Sequence, residues 1–214
     1  MKLVPVLVLL QCASLLAQEA ATDPLVMQRR LANLLRQATA AYEGDDFQGA
    51  LDLLGSAKGA AAADLSVLNL RAAALTRLGQ YKEATEIFTG ILRAKPDYFP
   101  ALFNVAEVKF MSGDREGALE AFRQLRRRDR RNELLRFKIY ICLISLGREE
   151  DAARTVGAMT PAGITPAWYY AQAVSARRQG DEPKAREYLH TAYALYGKEG
   201  CDLYDDALEV AGLR

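Results

Sequence analysis

His190 is the single imidazole in the chain, so neither a histidine-rich metal site nor a paired-imidazole mechanism is available. No Cys-x-x-Cys pair, phosphate-cradling glycine loop or nucleophile elbow occurs. The carboxylate pairs Asp45–Asp46 and Asp205–Asp206 lack the alternating spacing of a calcium loop and read as helix-end and solvent-face charge. These residues give no basis for catalysis, a metal or a cofactor, and the chain reads as a non-enzyme. The one dense charge cluster is basic: RQLRRRDRR, residues 123–131, with Arg126, Arg127, Arg128, Arg130 and Arg131. Its plain reading is solvated charge at the negative end of a helix dipole. Its functional reading is a docking patch for an acidic partner or anionic headgroups. Nucleic acid fits less well, because no aromatic side chain interleaves the arginines for base stacking.

The composition frames what must position these groups. Hydrophobic residues make up 50% and charged residues 26%, a globular balance rather than a disordered one, and the net charge of +1 gives no overall pull toward polyanions. Met1 to Ala17 reads as a secretory leader: Lys2, an apolar run from Leu3 to Leu16, then small residues. The run is too short for the roughly 20 residues that span a bilayer. Gln11 before Cys12 is a poor match for lipidation, so no lipid anchor is expected there. An exported protein invites a disulfide between the remaining Cys142 and Cys201, but more than one repeat separates them, and two free thiols are expected instead.

Helical patterning follows from Asp23-Pro24, an acidic cap with proline at the first helical position. Apolar residues then recur at three- and four-residue spacing in paired stripes, each pair interrupted by a glycine. The stretch Leu65–Tyr98 is the clearest pair, with Gly79 at its turn and Pro96 near its end. A register ties the pairs together. Ala50, Ala84, Ala118 and Ala152 stand 34 residues apart, with Ala185 following at 33. Gly79, Gly113 and Gly147 keep the same step, with Gly180 again one short. A small residue serves where two helices cross closely, and glycine serves where the chain reverses with positive φ.

This pattern resembles the tetratricopeptide repeat, a 34-residue helix–turn–helix. Leu68, Ala72, Gly79, Tyr81, Ala84, Phe88 and Pro96 fall on its signature positions. Later copies depart from it, with Arg130 in place of the closing proline and Arg136 and Tyr140 at first-helix signature positions. The first copy has Asp45 where the turn glycine belongs, with Gly44 one residue early. The resemblance implies an all-α fold, a right-handed α-solenoid of about five hairpins (31–64, 65–98, 99–132, 133–165 and 166–198). A leader (1–17) and an N-terminal segment (18–30) precede it. A capping helix (199–214) follows, with Leu203, Ala207, Leu208 and Val210 toward the fifth hairpin and Asp202, Asp205, Asp206 and Glu209 toward water.

The resemblance also implies that first helices line a concave groove. Mapped onto this chain, Tyr42, Phe103, Phe110, Phe137, Ile141 and Tyr170 become candidate partner-binding residues. Such a lining suits an amphipathic helix or an extended apolar segment of a protein or peptide partner. The function expected is a non-catalytic interaction scaffold of the bacterial cell envelope, in the periplasm or at the envelope. The alternatives are a self-associating structural protein, using Tyr188, Tyr193, Tyr196 and Tyr204, or an accessory subunit of an envelope complex.

Overall fold

The structure, a computed structural model, describes residues 23–161 and 165–213. The expected leader and Cys12 lie outside the described residues. Among the described residues all regular structure is helical: α1 (Pro24–Glu43), α2 (Phe47–Gly55), a 3-10 turn (Gly59–Ala63), α3 (Leu65–Arg77), α4 (Tyr81–Ala94), α5 (Phe99–Met111), α6 (Arg115–Arg128), α7 (Glu133–Ser145), α8 (Glu149–Gly157), α9 (Ala167–Arg178) and α10 (Glu182–Val210). The chain divides into two compact units, Met1–Ile87 and Phe88–Arg214.

Helix starts follow the expected chemistry. Asp23 Oδ1 accepts from the Leu25 amide at 2.8 Å, so Asp23-Pro24 opens α1 as its sequence predicts. The same device recurs at Asp46, Asp64, Asp114, Asn132 and Asp181. The register alanines Ala50, Ala84, Ala118, Ala152 and Ala185 are all buried, none above 1% exposed. A larger side chain at any of them would push its helix pair apart. At the turns, Gly79, Gly113, Gly147 and Gly180 all take positive φ, and so does Asp45, at 62°. Gly44, one residue earlier, does not, with φ of −88°. The repeat register, not the nearest glycine, sets where the left-handed residue falls.

In the first unit, Ala38, Leu54 and Val67 form a small core flanked by Leu31, Leu35 and Leu70. α2 packs between α1 and α3. Arg77 lies 4.7 Å over the Phe47 ring and pairs with Asp45 at 3.6 Å.

The second unit is organised around α7. Every residue from Phe137 to Ile144 is buried, Lys138 included. A helix buried on all sides needs cover on all sides, and α6, α8, α9 and α10 supply it. Tyr140, at a position where the repeat prefers a small residue, uses its length: its hydroxyl donates to the Ala171 carbonyl of α9 at 3.2 Å. Burial drives its pKa up.

α10 is two helices in one. Gly197 interrupts it with φ 68° and ψ 176°, a conformation essentially reserved for glycine. Before the break it is the second helix of the fifth hairpin; beyond the break, residues 198–210 pack with α7 and α9. This C-terminal segment covers an apolar face with Ala207 and Leu208, as expected, but with Cys201 and Tyr204 beside them rather than Leu203. Cys201, Tyr204, Ala207 and Leu208 are buried, whereas Leu203 is 61% exposed. Asp205, expected to face water, points inward to two tyrosines.

Candidate partner-binding surfaces

The first-helix positions that the repeat would turn toward a ligand fall into three groups. In the first unit Tyr42 is half-buried and stacks edge-on against Phe47, with ring centroids 5.3 Å apart. Phe110, Phe137, Ile141 and Tyr170 correct the expectation, because none is an open lining. Their exposures are 4%, 0%, 2% and 0%. The physical reason is cover from the rest of the second unit. Phe110 carries the Arg115 guanidinium 3.8 Å over its ring, and the other three belong with Phe110 to one continuous core.

At Phe137 and Tyr170 that cover is the chain's own C-terminal segment. The Tyr204 ring sits 5.2 Å from Phe137 and 5.4 Å from Tyr170, which themselves meet edge-on at 6.1 Å. The three aromatics form a closed cluster of the kind that contributes beyond its buried area. The Tyr170 hydroxyl donates to Asp205 Oδ1 at 2.8 Å, and Tyr193 donates to the other oxygen. Burial and the Asp205 carboxylate hold the Tyr170 phenol neutral well above its ordinary range, while burial chiefly pushes Tyr204 up to about 12. Arg177 completes the seat by donating to the Leu213 carbonyl at 2.7 Å and gripping Glu182 at 2.9 and 3.0 Å.

The third group remains open. Phe103 is half-buried, edge-on to Phe122 at 5.6 Å and stacked on Phe99 at 6.5 Å. Phe99 is 37% exposed. Beside these rings Lys138 pairs with Glu107 at 2.8 Å and lies 5.9 Å from the Phe103 centroid. The lysine is 7% exposed, so this pair keeps a charge compensated within the first-helix face of α5 and α7. Phe99, Lys138 and Glu107 have no place among the site residues expected from the sequence; Tyr204 is expected there only at a self-association contact and Asp205 only toward water. The three- and four-residue spacing of Cys201, Tyr204 and Leu208 was the signal for the last two.

Of the basic cluster, Arg128, Arg130 and Arg131 are exposed, and Arg127 reaches back to Glu120 at 3.0 Å. Arg126 differs: it is half-buried, and its Nε is enclosed. A separate cavity of about 500 Å³ opens among α7, α8 and α9, with the Arg178–Glu149 pair on its lining.

Both cysteines are free and buried, and burial raises their thiol pKa values, to about 12 for Cys142. A thiol so placed is no nucleophile at neutral pH. No cluster of three potential metal ligands occurs among the described residues. No described helix is long and apolar enough to cross a membrane.

A family model described as tetratricopeptide repeat matches residues 75–138. Among solved structures, the chain is similar to TTC0263, a thermophilic tetratricopeptide-repeat protein of Thermus thermophilus. The TM-score is 0.65 at 21% identity, covering 84% of this chain and 99% of that one. It is also similar to residues 41 to the end of MamA from Desulfovibrio magneticus RS-1, with a TM-score of 0.52 at 17% identity, covering 77% and 94%. At these identities the likeness is one of fold. No curated protein matches the chain.

Proposed function

The chain is a tetratricopeptide-repeat protein, and on that premise we propose that it is a non-catalytic adaptor of the bacterial cell envelope. Its first-helix face would bind an amphipathic helix of a protein partner. Repeats of this family are typically interaction scaffolds without catalysis. The observation that supports a helical guest is internal: the second unit already holds one. Residues 198–210 lie against α7 and α9, with Tyr204 between Phe137 and Tyr170 and Asp205 held by two hydroxyls. The same face continues uncovered at Phe99 and Phe103, beside the Glu107–Lys138 pair. An incoming helix with an aromatic or aliphatic anchor would stack there, and such anchors carry most of the affinity at a small interface.

Replacing Phe99 and Phe103 with alanine tests this reading in a pull-down from envelope extract. The adaptor reading expects loss of the prey that the intact chain retains, with helical content unchanged by circular dichroism. Unchanged prey on a folded variant would remove the groove from the proposal. The envelope location rests on Met1–Ala17, and N-terminal sequencing of the mature protein checks it: Gln18 should be the first residue.

Self-association is the second reading, favoured by an exposed apolar rim around Gly197. Tyr193, Leu195 and Leu203 are 40%, 57% and 61% exposed there. Light scattering of the mature chain decides, since a monomer at high micromolar concentration excludes it.

A further inference from the structure

The arginine run does more than decorate a helix end. Arg123 and Arg126, three residues apart, share one face of α6. Arg136 from α7 and Arg154 from α8 join them around a cavity of about 340 Å³, floored in part by Ile139 and Leu143. Asp151 is the one carboxylate on that lining, and Arg154 already engages it. Just outside, Glu133 pairs with Arg136 at 3.6 Å. Among the described residues neither Arg123 nor Arg126 has a carboxylate within ion-pair distance, and Arg126 Nε is buried without a hydrogen-bond partner. Around this cavity Arg136 pairs with Glu133 and Arg154 with Asp151 and Glu150, which leaves Arg123 and Arg126 as the two guanidinium groups on the lining without an ion pair among the described residues. An enclosed donor left unpaired costs free energy, and crowded cations add to it. Burial first, and the neighbouring Arg136 second, pull the Arg126 pKa down, and Glu133 and Asp129 offset this only in part.

We propose that this cavity binds a phosphoryl group, with Arg126 and Arg136 as its principal ligands and Arg123 and Arg154 at its edge. The planar, multi-donor guanidinium suits a tetrahedral oxyanion better than an ammonium does. The group could belong to a free phosphate or to a lipid headgroup, and the recognition chemistry is the same for both. This site is independent of the first-helix face proposed for the partner helix.

Two titrations of the intact mature chain at constant ionic strength test it, since screening alone must be held fixed. One uses inorganic phosphate followed by calorimetry. The other uses phosphatidate–phosphatidylcholine vesicles followed by co-sedimentation. Saturable binding in either arm, weakened about tenfold by Arg126→Gln and left intact by Arg131→Gln, supports the site and identifies the source. A second readout separates binding from folding. Without phosphate Arg126→Gln should melt no lower than the intact chain, because it removes a half-buried guanidinium whose Nε has no hydrogen-bond partner. With phosphate only the intact chain should gain stability. Binding in neither arm, or binding unchanged by Arg126→Gln, overturns the proposal.

Discussion

α3 and α7 hold the same place in the repeat, two periods apart, yet they live in different surroundings. On α3 the positions turned toward the first-helix face are Asn69, Ala73 and Thr76; the corresponding residues on α7 are Phe137, Ile141 and Ile144. Asn69 and Ala73 keep part of their surface, and Thr76 satisfies its hydroxyl within its own helix on the Ala72 carbonyl at 2.8 Å. Phe137, Ile141 and Ile144 are all buried. The shared register fixes the backbone through small residues at crossings and positive φ at turns. The departures from the repeat decide what each face must find as cover. A polar first helix can stand beside water, whereas an apolar one recruits a guest, and here the chain supplies its own.

Exchanging the identities of the two helices attacks that contrast most directly. Phe137→Asn places an α3 residue in α7, removing a fully buried ring and leaving a buried amide. It should cost about 4 kcal/mol, read as a lower urea midpoint. Removing the guest's anchor comes next. Tyr204→Ala should cost about 3 kcal/mol, less than a fixed core site because the C-terminal segment can leave rather than enclose a cavity. Equilibrium urea unfolding followed by tyrosine fluorescence would measure it. Gly197→Ala disturbs the bend that aims the segment and should cost about 2 kcal/mol, visible as a lower melting temperature. Smallest, and opposite in sign, is Asp45→Gly in the first unit. The repeat register imposes positive φ on this aspartate. Glycine there should stabilise by about 0.5 kcal/mol, set against loss of the 3.6 Å Asp45–Arg77 pair, whose carboxylate is solvent-exposed and which contributes little. Differential scanning calorimetry would resolve the gain.

The parts of this account that were readable in the sequence are those the 34-residue register controls. Ala50 through Ala185 announced the helix crossings, and the register placed the turn at Asp45 although a glycine stood next to it. The groove was less readable. Register gives the direction in which Phe137 and Tyr170 point, but whether that direction meets water depends on another segment's path. That path turns on Gly197, a residue that fits no repeat position. The C-terminal helix offered two apolar stripes that share Ala207 and Leu208, one adding Leu203 and Val210 and one adding Cys201 and Tyr204. Local periodicity could not rank them; the aromatic cluster at Phe137 and Tyr170 did. The arginine run was visible as charge, whereas Arg136 and Arg154 joined it only through packing of α7 and α8.

The central claim is that α7 and α9 owe their dry first-helix face to the C-terminal segment. Hydrogen exchange by mass spectrometry on the intact chain and on Tyr204→Ala tests it most directly. The account predicts faster exchange in residues 198–213 together with α7 and α9, while α1 to α3 keep their protection. Loosening of residues 198–213 with α7 and α9 unchanged would contradict it, showing a face that stays closed without its guest.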